Sequence, residues 1–247
     1  MRDDGRMPDA SPLPGRLLRQ TWWRARDYAA VLRWQAEGAL SRVDPEALRH
    51  PEHPVGPPVV LLPGVYESWH FLLPLARFLH DNGLRVHVLP DLGNNRRPVQ
   101  HAAEVLGRYL DARDLRDVVL VAHSKGGLIG KLAMLREDPD GRIDSMIAVN
   151  TPFAGSSYAR WFLVPSVRAF IPTDATIVAL AAEREVNARI TSVYSDWDPH
   201  IPAGSALDGA QDVVLTTPGH FRPLADPALH ALLLEKLLSP GGAAAPA

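Results

Sequence analysis

The chain has no cysteine among its 247 residues. That excludes disulfides, thiolate metal sites and a cysteine nucleophile, and leaves the cellular compartment open. Histidine ligation of zinc lacks its usual spacings, since neither HxxxH nor HExxH occurs. The expectation is a protein with no metal and no cofactor. No uninterrupted apolar run reaches ~18 residues, so no membrane span is expected. Nor does charge of one sign dominate. A formal net charge of −2 offers no field to steer nucleic acid, and no nucleic-acid partner is expected. The first fifteen residues are polar and proline-rich, without the apolar stretch of a signal peptide, which makes the cytoplasm the expected location. Lysine is scarce too, with only Lys125, Lys131 and Lys236.

What is present is the pattern of a globular α/β chain. Residues 1–57 read as a disordered tail (1–15), a helix from Leu17 to Leu40 and a linker from Asp44 to Pro58 with five prolines. These are expected to pack on or beside the core. The helix carries Leu18, Trp22, Trp23, Leu32 and Trp34 together with Arg16, Arg19, Arg24, Arg26 and Arg33. Such a helix either docks on the neighbouring domain with its arginines in water or makes peripheral contact with a membrane surface. Residues 58–240 form the main domain. Apolar strands at 59–62, 84–89, 118–122, 146–149, 190–194 and 213–215 alternate with helices at 69–80, 99–110, 127–136 and 229–238. That rhythm predicts a doubly wound, mostly parallel sheet, with ligands at the carboxyl ends of the strands. About 40 residues separate the strands ending near Asn150 and starting near Ile190, longer than a crossover needs. Apolar and broken by Pro165 and Pro172, the stretch at about 155–187 predicts a cap over the site. Residues 241–247 read as a second disordered tail.

The densest signal is Val118-Val119-Leu120-Val121-Ala122-His123-Ser124-Lys125-Gly126-Gly127. An apolar strand runs into a serine flanked by small residues, and a helix follows at once. Ala122 and Gly126 leave room for a turn in which backbone approaches backbone, pushing the Ser124 hydroxyl into the open. Serine needs a base, and the base an orienting carboxylate. Asp196 and Asp198 lie just past the 190–194 strand, and His220, after Gly219, lies just past the 213–215 strand. All would reach the rim that bears Ser124. His200 follows the wrong strand for the base, and His123 is expected to pack beneath the turn.

This constellation resembles the α/β-hydrolase superfamily, closest to its lipase and esterase branch, over roughly Pro58 to Leu238. The turn Asn150-Thr151-Pro152-Phe153-Ala154-Gly155-Ser156 is similar to the [GN]-T-P-x-x-G-S turn of lipase-like members, where it leads into the cap. The resemblance implies an α/β-hydrolase fold with Ser124 as nucleophile, His220 as base and Asp198 as orienting acid. Asp198 opens the D-x-x-[VI]-P pattern Asp198-Pro199-His200-Ile201-Pro202, and Asp196 stays in reserve. It further implies an oxyanion hole from the Val65 and Lys125 backbone N–H groups. Pro63 stands where relatives often carry a histidine that braces this loop. Tyr66, Trp161 and Phe162 are candidates for binding the substrate. The Lys125 side chain either leans into solvent or a local ion pair, or meets an anionic part of a substrate. The implied activity is hydrolysis of a small-molecule carboxylic ester with a hydrophobic acyl or alcohol part, through an acyl-enzyme. An acyltransferase or thioesterase would use the same machinery. A non-catalytic protein of this fold, binding a lipid or partner, is the alternative of a different class.

Overall fold

The computed structural model describes residues 13–239. The tails expected at 1–15 and 241–247 lie outside the described residues, except that 13–15 already belong to the first helix. In chain order the elements are α1 (Leu13–Leu40), β1 (Val59–Leu62), α2 (Leu73–Asp81), β2 (Val86–His87), α3 (Val99–Ala112), β3 (Val118–His123), α4 (Lys125–Arg136) and β4 (Ile143–Val149). They continue with α5 (Pro165–Arg168), α6 (Ala175–Ala182), β5 (Ile190–Ser195), β6 (Gln211–Leu215) and α7 (Pro227–Leu238). Among the described residues no helix is long and apolar enough to cross a membrane.

The six strands form one sheet in the order β2-β1-β3-β4-β5-β6, and every pairing is parallel. The central strands β1 and β3 read as nearly unbroken apolar runs because both faces are covered. Successive side chains alternate between two cores. Val60, Leu62, Leu120, Ala122 and Met146 pack with α3 and α4, while Val59, Leu61, Val119, Val121 and Ile147 pack with α2 and α7. Trp34 of α1 joins the second core. Strand order reverses between β1 and β3, and there the chain leaves the two strands in opposite directions and opens a crevice.

Two elements differ from the sequence pattern. The strand expected over 84–89 is paired only at Val86 and His87, against Val59 and Val60, because β2 is an edge strand and Pro90 follows closely. The helix expected over 69–80 begins as a 3-10 turn, Trp69–Leu72, and becomes α-helical at Leu73. Pro74 has no N–H to continue an earlier helix and is suited to the first turn of a new one. Between β4 and β5 the apolar insertion is built from a 3-10 turn (Ser157–Trp161), α5 and α6, the last capped by Asp174 on the Thr176 N–H.

Candidate active site

Ser124 is the single residue between β3 and α4, with φ 52° and ψ −118°. A residue with a side chain avoids this region unless its surroundings impose it. Here the Ser124 N–H donates to the Val149 carbonyl at 2.9 Å, and Gly126 passes directly against the Leu62 carbonyl, where any Cβ would collide. The crossing of β1 and α4 therefore requires glycine at 126. Gly127 likewise abuts Thr151.

The ends of β5 and β6 bring the other groups to this turn. His220 Nε2 lies 3.0 Å from Ser124 Oγ, and His220 Nδ1 lies 2.7 Å from Asp198 Oδ2. Of the two aspartates after β5, it is Asp198 that meets the imidazole; Asp196 is exposed. The second Asp198 oxygen accepts the His200 and Ile201 N–H groups at 2.7 and 3.2 Å, a turn that fixes the carboxylate. Burial works against charge on both groups, but their mutual attraction prevails. It holds Asp198 below the usual carboxylate range and His220 above the ordinary histidine value, with Glu67 and Asp27 adding to the latter.

The main chain of His220 is pinned from three directions. Its N–H donates to Asp27 Oδ2 of α1 at 2.8 Å, and the next two N–H groups, of Phe221 and Arg222, donate to Asp27 Oδ1 at 3.0 and 2.9 Å. Its carbonyl accepts from Asn150 Nδ2 at 2.8 Å and faces His123 Nε2 at 3.1 Å. Asn150 also accepts the Ser195 N–H, so one buried amide joins the ends of β4, β5 and β6. His123 is fully buried beneath the turn, as expected, with Nδ1 facing Glu67 at 2.9 Å. His200 stacks edge-on against His220, 4.7 Å between centroids, and its Nε2 meets the Tyr28 hydroxyl at 3.0 Å. Burial, reinforced by the neighbouring His220, drives the His200 pKa down to about 3.

The loop after β1 is braced without the histidine that Pro63 replaces. Glu67 Oε2 accepts the Gly64 N–H at 2.6 Å, and Asn95 Nδ2 donates to the Pro63 carbonyl at 2.7 Å. Asn95 is in turn fixed by Lys125. That ammonium reaches neither solvent nor the cavity beside Ser124: it is buried and donates to Asn95 O at 2.8 Å, to Asn95 Oδ1 at 3.1 Å and to the Arg97 carbonyl. Desolvation lowers its pKa to about 8. Its task is internal: through Asn95 it ties the loop before α3 to the loop after β1.

Ser124 and His220 open into a cavity of about 260 Å³. Val65, Tyr66, Tyr158, Phe162, Val167 and Phe170 supply much of its mainly apolar wall. Of the three substrate-binding candidates, Tyr66 and Phe162 line this cavity. Trp161 is 72% exposed and outside the cavity wall, because the 3-10 turn that carries it directs the next residue, Phe162, inward. Asp198, His200 and His220 also bring three ligand-type atoms within 4.8 Å of one another. Both Asp198 oxygens and both His220 nitrogens are engaged in the contacts above, so the trio is a hydrogen-bonded relay and not an open cation cradle.

A family model described as the alpha/beta hydrolase fold matches residues 57–235. The chain belongs to this family. Among solved structures, the hydrolase fold is shared with the mature lipase BlEst2 of Bacillus licheniformis (TM-score 0.59, 16% identity, 77% of this chain and 96% of that one). It is shared also with a monoacylglycerol lipase of Paleococcus ferrophilus (0.55, 17%, 74% and 96%). A third is the type II thioesterase BorB from the borrelidin biosynthetic cluster (0.54, 19%, 80% and 98%). No curated protein matches the sequence.

The hydrolase match begins after α1, yet α1 supplies Asp27 to the histidine loop and Tyr28, Val31 and Gln35 to the cavity wall. Sequence reasoning misses Asp27, Glu67, Asn95 and Asn150. The one available signal was an acid, Asp27, on the otherwise apolar inner face of an amphipathic helix.

Proposed function

We propose that the chain is a serine hydrolase of carboxylic esters with a hydrophobic part. The observation that carries this reading is the continuous relay from Ser124 Oγ through His220 to Asp198 at the floor of an apolar cavity. Ser124 attacks the ester carbonyl as His220 takes its proton. The carbonyl oxygen becomes an oxyanion held by the Val65 and Lys125 N–H groups. Lys125 is the first residue of α4, where N–H groups lack intrahelical partners and the helix dipole favours negative charge. His220 returns the proton to the leaving alcohol, giving the acyl-enzyme, and then activates the water that releases the acid. Asp198 keeps the His220 ring aimed and stabilises its charged form. Each oxyanion donor is worth roughly 10²–10³ in rate.

A fluorophosphonate probe tests the nucleophile: it should label the protein and fail to label Ser124→Ala. Labelling that survives the substitution would remove Ser124 from the mechanism. A panel of esters and acyl thioesters of graded acyl length, assayed on the same preparation, then separates ester from thioester hydrolysis.

A further inference from the structure

The outer face of α1 is apolar and exposed. Leu18, Trp22, Ala25, Ala29, Leu32, Ala36 and Ala39 follow one another at spacings of four and three, and all seven are exposed. This is a continuous stripe, roughly 30 Å long at 1.5 Å per residue. It lies opposite the inner face, where Asp27, Trp34 and Gly38 are buried. An arginine row, Arg19, Arg26 and Arg33, runs along one flank and Thr21, Tyr28 and Gln35 along the other. From residue 15 to 40 there are five arginines and two acids, and of the acids Asp27 is buried and Glu37 pairs with Arg33. Charge that nearly cancels over the whole chain is therefore segregated onto this helix. The same helix walls one side of the cavity. On the other side, next to Phe162, stand Trp161 and Leu163, the latter 90% exposed.

We propose that the outer face of α1, with the Trp161–Val164 rim, docks on an anionic lipid surface and presents the mouth of the cavity to it. The charge pattern decides between lipid and a second copy of the chain. In an antiparallel helix pair the arginine row would face itself, and in a parallel pair it would face only Thr21, Tyr28 and Gln35. Against the row's three arginines the antiparallel pair offers only Glu37, which shares that flank and is already paired with Arg33, and the parallel pair offers no acid, whereas anionic headgroups flank a buried apolar stripe on both sides. The proposal deepens the ester-hydrolase reading by naming where the hydrophobic part of the substrate is held, and binding can be read without turnover.

The test is co-sedimentation of the full chain with phosphatidylcholine vesicles, with and without phosphatidylserine. Binding should require phosphatidylserine and fall as salt rises. Each arginine near such a surface contributes roughly fivefold in affinity, so Arg19→Gln/Arg26→Gln/Arg33→Gln should weaken binding by about two orders of magnitude. Leu18→Gln/Leu32→Gln should weaken it at least tenfold. Both variants alter only exposed positions and should keep turnover of a water-soluble ester within about twofold. Absence of binding to phosphatidylserine vesicles, or binding indifferent to both variants, overturns the proposal. So does a chain that is dimeric in solution and becomes monomeric in Leu18→Gln/Leu32→Gln. Loss of ester turnover in the unaltered chain, with vesicle binding intact, would instead sink the hydrolase reading alone.

A second observation, on the inner face of the same helix, stands independently. Asp27 is fully buried and accepts three consecutive N–H groups from the loop that carries His220. Gly219 has φ 124° and lies so close to the Asp27 carboxylate that no side chain fits between them. We infer that Asp27 is a positioning residue for His220, supplied from outside the hydrolase match. His220 is faced by Asp198, Glu67 and Asp27 and by the imidazoles of His123 and His200. Replacing Asp27 by asparagine removes one of the three negative charges that favour the imidazolium. Asp27→Asn should lower kcat for a soluble ester by tenfold or more, leave KM within about threefold, and move the acidic limb of the pH–rate profile to lower pH. Trp34→Leu, which loosens the same helix from the core without touching the loop, is the control. If it reproduces both the kcat loss and the shifted limb, or if Asp27→Asn changes neither, the inference fails.

Discussion

At the scale of single residues, two nearly adjacent aspartates separate function from proximity. Asp198 is buried, 2.7 Å from the histidine, and Asp196 is exposed two residues away. Asp198→Asn is expected to reduce ester turnover by roughly 10³–10⁴, and Asp196→Asn by less than about threefold. Steady-state kinetics on one soluble ester decides it, and the opposite ranking would reassign the acid. Lys125 yields a different kind of expectation. Lys125→Met strips three acceptors of their donor and frees Asn95 from its hold on the Pro63 carbonyl. It should cost about 2–4 kcal/mol of stability and lower turnover of neutral esters more than tenfold. Parallel thermal melts and kinetics check both; unchanged turnover with a changed preference among anionic esters would return the lysine to the substrate. Ser124, His220 and the pair Asp196 and Asp198 were legible because each falls just after an apolar strand, and strand ends are readable from periodicity; the preference for Asp198 came from the D-x-x-[VI]-P pattern of the family the sequence resembles. Asn95, Asn150 and Asp27 act on partners 30 or more residues away; Asn150 stands in a recognisable turn and Asp27 on an apolar helix face, but no local pattern names their partners.

At the scale of elements, the alternation of strands and helices was readable because a parallel sheet is apolar on both faces. The ends of elements were less so: β2 is shortened by its place at the edge, and α2 is reset by a proline. The cap insertion was visible as an interruption of the rhythm. Which of its aromatics point inward was not, since Trp161 and Phe162 are neighbours whose directions depend on one 3-10 turn. Val167, just after the start of α5, and Tyr66, whose hydroxyl meets Ser166 at 2.9 Å, bring the cap and the loop after β1 together at the cavity. Val167→Trp should fill part of the space. The ratio of turnover on an octanoyl ester to that on an acetyl ester is expected to fall about tenfold or more, with the acetyl ester nearly unaffected. An unchanged ratio would place the acyl chain elsewhere.

At the scale of the whole molecule, burial of neutral histidines couples stability to pH. Desolvation pushes His87 down to about 4 and His200 to about 3, from an ordinary value of 6.5. Below about 6.5 the unfolded chain takes up protons that the native state refuses, so stability is full above that value and declines as pH falls towards 4 and then 3. His220, raised by Asp198, works in the opposite sense. Melting temperatures measured from pH 7 to pH 4 should fall, and His87→Gln, which keeps a partner for the Tyr109 hydroxyl, should flatten part of the decline. A variant whose melting curve tracks the parent at every pH would show that His87 carries none of it.

The contact between Asp27 and His220 spans 193 positions of the chain. During synthesis the carboxylate leaves the ribosome 193 residues ahead of the imidazole. While those residues are made the helix holds a buried-to-be acid with nothing to receive it. Closing so long a loop is slow and comes late. Reactivity of the serine should accordingly appear as one of the final events of folding, after the sheet is formed.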